Sequence, residues 1–360
     1  MKTALYEEHL KLNGRMVDFA GWELPVMYSS IVEEHNATRE KAGLFDVSHM
    51  GEILVQGEGA AAYISRLIPT RLSKLEPGKS MYSCLTNEQG GVIDDLFVYM
   101  VSDTEYYIVV NASTLERDLQ WFKKHLAGGI ILDDQSARTS KLDLQGPLSR
   151  KIAARAMGDS SLEELPRFHF CHRDYRGKRI KISQSGYTGE HGYEFYVGND
   201  LAPLLWRDLM EAGAEYGIKA VGLGARDSLR LESCYSLYGH ELNDGITPVE
   251  AGLGWIVSSQ EDYIGRDVID RQKREGAGRE LVCFEVTGRG IPREGCRIDK
   301  ESREIGISTS AGYSPTFKKG LGMALVETGS VSPGDGIEII IRGNPVAARI
   351  APRPFYKYNG

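Results

Sequence analysis

Cysteine is scarce in this 360-residue chain, and where it occurs it is never grouped. Cys84, Cys171, Cys234, Cys283 and Cys296 are odd in number, widely spread and without C-x-x-C spacing. That pattern argues against a disulfide framework and a structural zinc site, and leaves buried free thiols. Long apolar runs are missing too, since nothing approaches the roughly 20 residues that a membrane helix needs. Positive charge is not in excess: 43 Lys and Arg stand against 50 Asp and Glu, a formal net charge of -7. Nucleic-acid surfaces are usually strongly basic, so no nucleic-acid partner is expected, and an anionic substrate needs a local basic pocket. The opening MKTALYEEHLKL carries acids where a signal or transit peptide does not, which makes a cytoplasmic location the expectation.

Three familiar motifs are present only in part. GEGAAA at 57–62 has the spacing of a dinucleotide loop, but no acidic residue closes a βαβ unit behind it. PGKS at 77–80 ends like a phosphate loop, yet Ser73 stands where the first glycine belongs. HFCH at 169–172 offers three potential ligands on neighbouring, diverging side chains, with no second cluster to complete four-coordination.

What the chain does have is the composition of a folded protein, 41% hydrophobic and 26% charged, and more length than one ordinary core accommodates. Ser29 to Gly43 reads as a helix with acids early, bases late and a glycine stop. Phe45 to Gly57 alternates like a single strand, and a helix over Ala60 to Leu67 follows. LFVYMV and YYIVVNA form a hairpin pattern, STLERDLQWFKKHL a helix, and KLDLQG, KRIKISQSG and YEFYVG further strands. LAPLLWRDLMEAGAEYG is an amphipathic helix ending at Gly217. Mixed α+β is the expected class to about residue 270, a linker falls at Arg271 to Glu280, and the Gly- and Pro-punctuated β runs beyond it predict a small barrel or sandwich.

Three constellations concentrate chemistry. In NEQGGVIDDLFV, period-two geometry sends Asp94 and Asp95 to opposite faces, with Asp95 on the side of Phe97 and Tyr99. A carboxylate there is either hydrogen-bonded to backbone or awaits a cationic partner such as a substrate amine. In SGYTGEHGYEFYV, glycines 186, 189 and 192 permit an ordinary tight loop or a loop lined by Tyr187, His191, Tyr193 and Glu194. In GLGARDSLRLESCYSLYGHEL, helical spacing runs from Asp227 to Leu237, and Arg226 at its start opposes the macrodipole. Its guanidinium either pairs with Glu232 or Asp227 or presents a planar fork to a ligand carboxylate or ring carbonyl.

Taken together, VDFAGWELPVMY, FDVSHMGEI, GGVIDDL, LQGP, SGYTGEHGYE, GARDSLRLE, TPVEAGLGW, YIGRDV and PFYK resemble, in order and over nearly the whole chain, the T-protein (aminomethyltransferase) family of the glycine cleavage system. The resemblance implies a three-domain, cloverleaf-like α+β fold: two interwoven folate-binding domains within 1–270, roughly 1–50 with 140–270 and 51–139, then a C-terminal β-barrel at 279–360. It implies Asp95 as the catalytic carboxylate, with Asp94 structural. Met50, Tyr82, Asn111, Tyr187, Glu194 and Arg226 match folate-contacting or lining positions, while the aromatic partner of the ring within Phe168, His169 and Phe170 stays open. STSAGYSPTFKKGLG resembles a Ser/Thr-rich string of the family's C-terminal domain, interrupted by Ala311.

The implied activity transfers the methylene carbon of a lipoyl-bound aminomethyl group to tetrahydrofolate, the co-substrate, with release of ammonia and no metal. The implied partner is the lipoylated H-protein, the chain itself being a monomer outside the complex. Asp95 would act either as a fixed anion beside a developing cation or as a base. Other tetrahydrofolate-dependent methyltransferases and demethylases share the implied scaffold. So does a non-catalytic folate-binding group marked by a KGCYxGQE string, where this chain reads EDYIGRDV.

Overall fold

The computed structural model describes residues 1–259 and 261–358. Two antiparallel-rich sheets and a barrel carry the chain. The six-stranded sheet runs in the order Phe170–Tyr175, Lys178–Ser183, Gly192–Gly198, Thr139–Gln145, Gly43–Asp46, Lys219–Ala220. The five-stranded sheet runs Ser80–Thr86, Val92–Ser102, Glu105–Val110, Gly51–Gln56, Ile131–Asp134. Each buries one face against helices. Leu142, Leu144, Ile182 and Phe195 pack with Trp206 of the helix Ala202–Gly213, and Ile53, Val98 and Ile108 pack with Ile64 and Phe122 of the helices Ala60–Leu67 and Leu115–Lys124.

The opposite faces of the two sheets meet, and strand alternation dictates what they bring. Alternating with Leu142 and Leu144, Lys141, Asp143 and Gln145 of the strand Thr139–Gln145 turn away from the helices, and the paired strand adds Glu194 and Tyr196. From the other sheet come Phe97, Tyr99, Tyr107 and Val109, clustered with Phe170 and Tyr196. Tyr99 Oη donates to Glu194 Oε2 at 3.0 Å, and the buried Lys181 ammonium lies 2.8 Å from the Tyr107 ring centroid.

The strands Arg279–Val286, Lys319–Glu327, Arg303–Ser314, Arg297–Lys300, Gly336–Ile341 and Asn344–Ala351 close into a barrel around Phe284, Ile298, Val326, Ile339 and Ile350. The mixed α+β class with a C-terminal barrel is therefore the fold adopted. Four local expectations are corrected. Phe45 to Gly57 is not one strand: it breaks at Val47–Met50, and its halves, Gly43–Asp46 and Gly51–Gln56, enter different sheets. Alternation continues through a crossover, so periodicity does not reveal the break. The helix predicted over Asp227 to Leu237 is Leu223–Glu232, stopped where Cys234 takes φ 55°. The predicted linker holds the end of a helix, Arg266–Glu275, leaving Gly276 to Gly278 as the connection. The helix read from Ser29 to Gly43 is Ile31–Glu40, with Ser30 as its cap, the hydroxyl accepting from the Glu33 amide at 3.2 Å.

The barrel is fastened to the rest through Glu232, at the end of the helix Leu223–Glu232. Its Oε2 accepts from Arg39 Nη2 at 3.0 Å and Thr316 Oγ1 at 2.8 Å and lies 3.2 Å from His35 Nε2, while Oε1 accepts from Ser314 Oγ. Burial opposes its charge, but His35, Arg39 and Ser314 outweigh burial and hold its pKa at about 2. The string containing Ala311 supplies Ser314 and Thr316, and Ser310 Oγ accepts from Arg230 Nη1 at 2.9 Å. Replacing Glu232 by Ala leaves Arg39 with Glu190 as its remaining carboxylate and takes the carboxylate from His35, and urea unfolding at pH 7 should show a loss of about 3 kcal/mol. Because the folded pKa lies below the unfolded value, the carboxylate's contribution is complete above about pH 4.5 and fades as pH falls towards 2, so the wild-type advantage over Glu232→Ala should shrink through that window.

Candidate active site

The acid strand begins where the chain must turn tightly. A Cβ on Gly91 would lie 1.8 Å from the Asp244 carbonyl oxygen, so only glycine lets the strand Val92–Ser102 start there. Alternation then separates the two acids, and Asn111, just past the strand Glu105–Val110, reaches both. Its Nδ2 donates to Asp94 Oδ1 and to Asp95 Oδ1, each at 2.8 Å, and its backbone amide donates to Asp94 Oδ2 at 2.9 Å. Tyr82 Oη donates to Asp95 Oδ2 at 2.9 Å.

This is a carboxylate under tension between opposing effects. Burial and the neighbouring Asp94 push Asp95 up to about 7, against the hydrogen bonds from Tyr82 and Asn111. Burial also raises Asp94, and buried Asp118, beside it, is pushed up to about 10 by burial and by Asp94. Asp118 is thus a neutral acid at pH 7.

Aromatic faces flank Asp95. Tyr82 lies 6.2 Å from Trp255 in a stacked arrangement and 5.6 Å from Phe97, and Phe97 lies 5.9 Å from Phe168. Trp255 is 72% exposed, a large apolar surface with no cover of its own. Among the three aromatic candidates at 168–170, Phe168 joins this row, Phe170 enters the inter-sheet cluster, and His169 accepts no place in either, its Nδ1 lying 3.1 Å from the Arg167 carbonyl oxygen.

The second constellation is divided. Tyr187 Oη donates to the Ser236 carbonyl, and the Arg226 guanidinium lies 4.5 Å from the Tyr187 ring centroid. Glu194 accepts from Lys141 Nζ at 2.7 Å and Ser185 Oγ at 2.6 Å. Burial works against its charge, but Lys141 and the hydroxyls prevail and keep its pKa below the ordinary range. Tyr193 instead enters the core and His191 bonds Ser149 Oγ at 2.9 Å, so neither lines the edge drawn from sequence. Gly186 and Gly192 flank Gln145, whose side chain a Cβ at either position would meet within 2.1 Å.

Arg226 pairs with neither Glu232 nor Asp227, which are taken by Arg39 and Arg230; its nearest carboxylate is Asp143 Oδ2 at 3.7 Å. Asp143, 1% exposed, is pushed up to about 7 by burial and by Glu194, against Arg226 and Lys141. Met50 sits on the same side, with Lys141 Nζ 3.5 Å from its sulfur. Sequence reasoning passed over Lys141, Asp143 and buried His49, whose pKa is driven down to about 3 by burial and by Arg226. The first two were signalled by polar residues at alternate positions of KLDLQG, a strand read only for its apolar half. Of HFCH, Phe170 to His172 begin the strand Phe170–Tyr175, and among the described residues there is no group of three or more His, Cys, Asp or Glu that could hold a metal ion.

The described structure thus gathers Asp95, Tyr82 and Asn111 at the end of one sheet and Glu194, Arg226, Tyr187 and Met50 at the facing sheet. Residues 5–261 match the model of the GCVT N-terminal domain, and residues 279–357 that of the glycine cleavage T-protein C-terminal barrel domain. The chain belongs to the glycine cleavage T-protein family. An aminomethyltransferase of Geobacillus kaustophilus is 42% identical over 99% of this chain and 98% of that protein. One from Caldanaerobacter subterraneus is 43% identical over 99% and 96%. The crystal structure of the glycine cleavage system aminomethyltransferase T from Bartonella henselae superposes with a TM-score of 0.92 at 31% identity, covering 99% of this chain and 98% of that one. Within this T-protein scaffold the Tyr82 hydroxyl and the Asn111 amide hold Asp95 down. Replacing Asn111 by Ser should raise the Asp95 pKa by about one unit, read by carboxyl NMR titration, because a hydrogen bond to the charged form is removed.

Proposed function

We propose that this chain transfers the methylene carbon of a lipoyl-bound aminomethyl group to tetrahydrofolate, releasing ammonia and leaving 5,10-methylenetetrahydrofolate and a dihydrolipoyl arm. The observation that carries the reading is full-length similarity to aminomethyltransferases together with a raised, aromatic-flanked carboxylate at Asp95. The lipoylated H-protein is the partner, the chain working as a monomer outside that complex and in the cytoplasm.

The residues fit a flat heteroaromatic ring with polar edges. Tyr82, Tyr187 and Phe168 offer faces, Met50 a soft apolar lining, Arg226 a donor for a ring carbonyl, and Glu194 an acceptor held ionised by Lys141. Tetrahydrofolate supplies the nucleophilic ring nitrogen. In this reading an ionised Asp95 stabilises the cationic carbon as its bond to nitrogen breaks, an effect strengthened wherever the ring and aromatic side chains exclude water. A carboxyl that titrates near 7 is also matched to taking up a proton at neutral pH. Asn111 and Tyr82 fix its orientation, and Asp94 anchors Asn111.

Asp95→Asn retains shape and loses charge, so tetrahydrofolate binding should persist while kcat falls about 10²- to 10⁴-fold, measured as ammonia and methylenetetrahydrofolate release from aminomethyl-loaded carrier. Wild-type turnover should rise as pH increases through about 7, because the active form is the carboxylate, and the residual rate of the variant should lack this limb. Wild-type rates from Asp95→Asn would remove the assigned catalyst.

A further inference from the structure

Asp118 is a buried acid that the reaction proposed above leaves unused. It sits in the first turn of the helix Leu115–Lys124, its amide donating to the Thr114 carbonyl at 2.9 Å, and it is 0% exposed. No ordinary donor bonds either carboxyl oxygen. The adjacent cation is engaged elsewhere: Arg117 gives Nη1 to Asp244 at 3.0 Å and Nη2 to the Ile93 carbonyl and the Tyr238 hydroxyl. What the Asp118 carboxyl does meet is the equally buried carboxyl of Asp94, in hydrogen-bonding contact.

Two ionised carboxylates are acceptors only and cannot bond each other, so a proton lies between them. What else each acid binds decides which one carries it. Asp94 accepts from the Asn111 backbone amide at 2.9 Å and from Asn111 Nδ2 at 2.8 Å, and both bonds favour its charged form. The Thr114 hydroxyl, close to both acids, donates to the Asn111 carbonyl at 3.1 Å. Asp118 therefore holds the proton and donates to Asp94. From Asp94 the connection continues through Asn111 Nδ2 to Asp95 Oδ1 at 2.8 Å.

We infer that Asp118 is a positioning residue for this reaction: as a neutral acid it donates to Asp94, keeps Asp94 ionised and, through Asn111, fixes the orientation of Asp95. Its consequence for turnover rests on the tetrahydrofolate reading above, whereas its hold on Asp95 does not. Without the Asp118 proton, Asp94 is a buried anion held by Asn111 alone and takes up a proton itself. The charge lost is, after burial, the largest influence raising Asp95, and it outweighs the Asn111 bond that weakens when Asp94 no longer anchors the amide. Asp95 then titrates lower and is less well aimed. The other ionisable groups facing this cluster are Tyr82 and Cys84 on the strand Ser80–Thr86, Arg117 on the helix, and Tyr238 and Asp244 beyond it, and none is altered by changing Asp118.

The test compares Asp118→Asn, whose amide still donates to Asp94, with Asp118→Leu, which fills the site and donates nothing, each checked by thermal unfolding. Carboxyl NMR of the free protein is read beside kcat and KM for tetrahydrofolate against pH, with aminomethyl-loaded carrier. Asp118→Leu should lower the Asp95 titration by at least about half a unit, move the acid limb of kcat to lower pH with it, and reduce the plateau about 10- to 100-fold while KM stays within about threefold. Asp118→Asn should recover the wild-type titration and come within about fivefold of the wild-type rate. In wild type the Asp118 carboxyl should be protonated at pH 7, a measurement independent of how the variants fold. An ionised Asp118, wild-type behaviour from folded Asp118→Leu, or an Asp118→Asn as impaired as Asp118→Leu overturns the inference. If wild type shows no tetrahydrofolate-dependent turnover, the proposed function falls, and the Asp95 titration still decides whether Asp118 acts on it.

Discussion

The structure depends on one demand: two sheets are packed face to face through a layer that is not apolar. Each sheet has already spent its hydrophobic face on helices, so the facing surfaces carry Lys141, Asp143, Gln145, Glu194 and Lys181 against Tyr82, Asp95, Tyr99, Tyr107 and Glu52. Burying an ion without partners costs several kcal/mol, and the layer answers in three ways. Glu194 and Lys141 pair. Lys181, over the Tyr107 ring, has its pKa driven well down by burial, and Glu52, with neither oxygen hydrogen-bonded, has its own driven well up by burial. Asp95, Asp143 and Arg226 remain only partly answered.

The reaction proposed above draws on Asp95 and Arg226 among these groups. A carboxylate poised near 7 is unstable by the standards of a surface acid, and its persistence requires a surrounding that cannot relax around it. Asn111 provides one restraint by bonding both Asp94 and Asp95 from a single amide. The helix Leu223–Glu232 provides another: it carries Arg226 at its start and Glu232 at its end, and Glu232 binds the barrel and Arg39 at once. The helix thus holds the barrel contact and Arg226 at opposite ends. Cys234 and Cys283, whose sulfurs lie 3.4 Å apart as free thiols, belong to the same seam.

How much of this was legible follows from the range of each interaction. Helices at Ala60–Leu67 and Ala202–Gly213 and the hairpin of Val92–Ser102 with Glu105–Val110 were readable, because 3.6- and two-residue periods are local properties. The break at Val47–Met50 was not, since a chain that crosses between sheets keeps its alternation. Asp95, Tyr187 and Arg226 stood out through their motifs. Lys141 and Asp143 did not, because a charge on a strand reads as a solvated face until a second sheet is known to cover it.

The sequence by itself determined the α+β class, the β-rich C-terminal unit, the T-protein resemblance and the segregation of Asp94 from Asp95, all consequences of pattern along the chain. Tertiary structure alone decided which charges keep their ionisation, that Arg226 faces Asp143 instead of Glu232, and that Asn111 bridges two acids 16 and 17 residues away. The reason is electrostatic: a pKa or an ion pair depends on burial and on groups brought together through space, and neither is encoded in the spacing of residues.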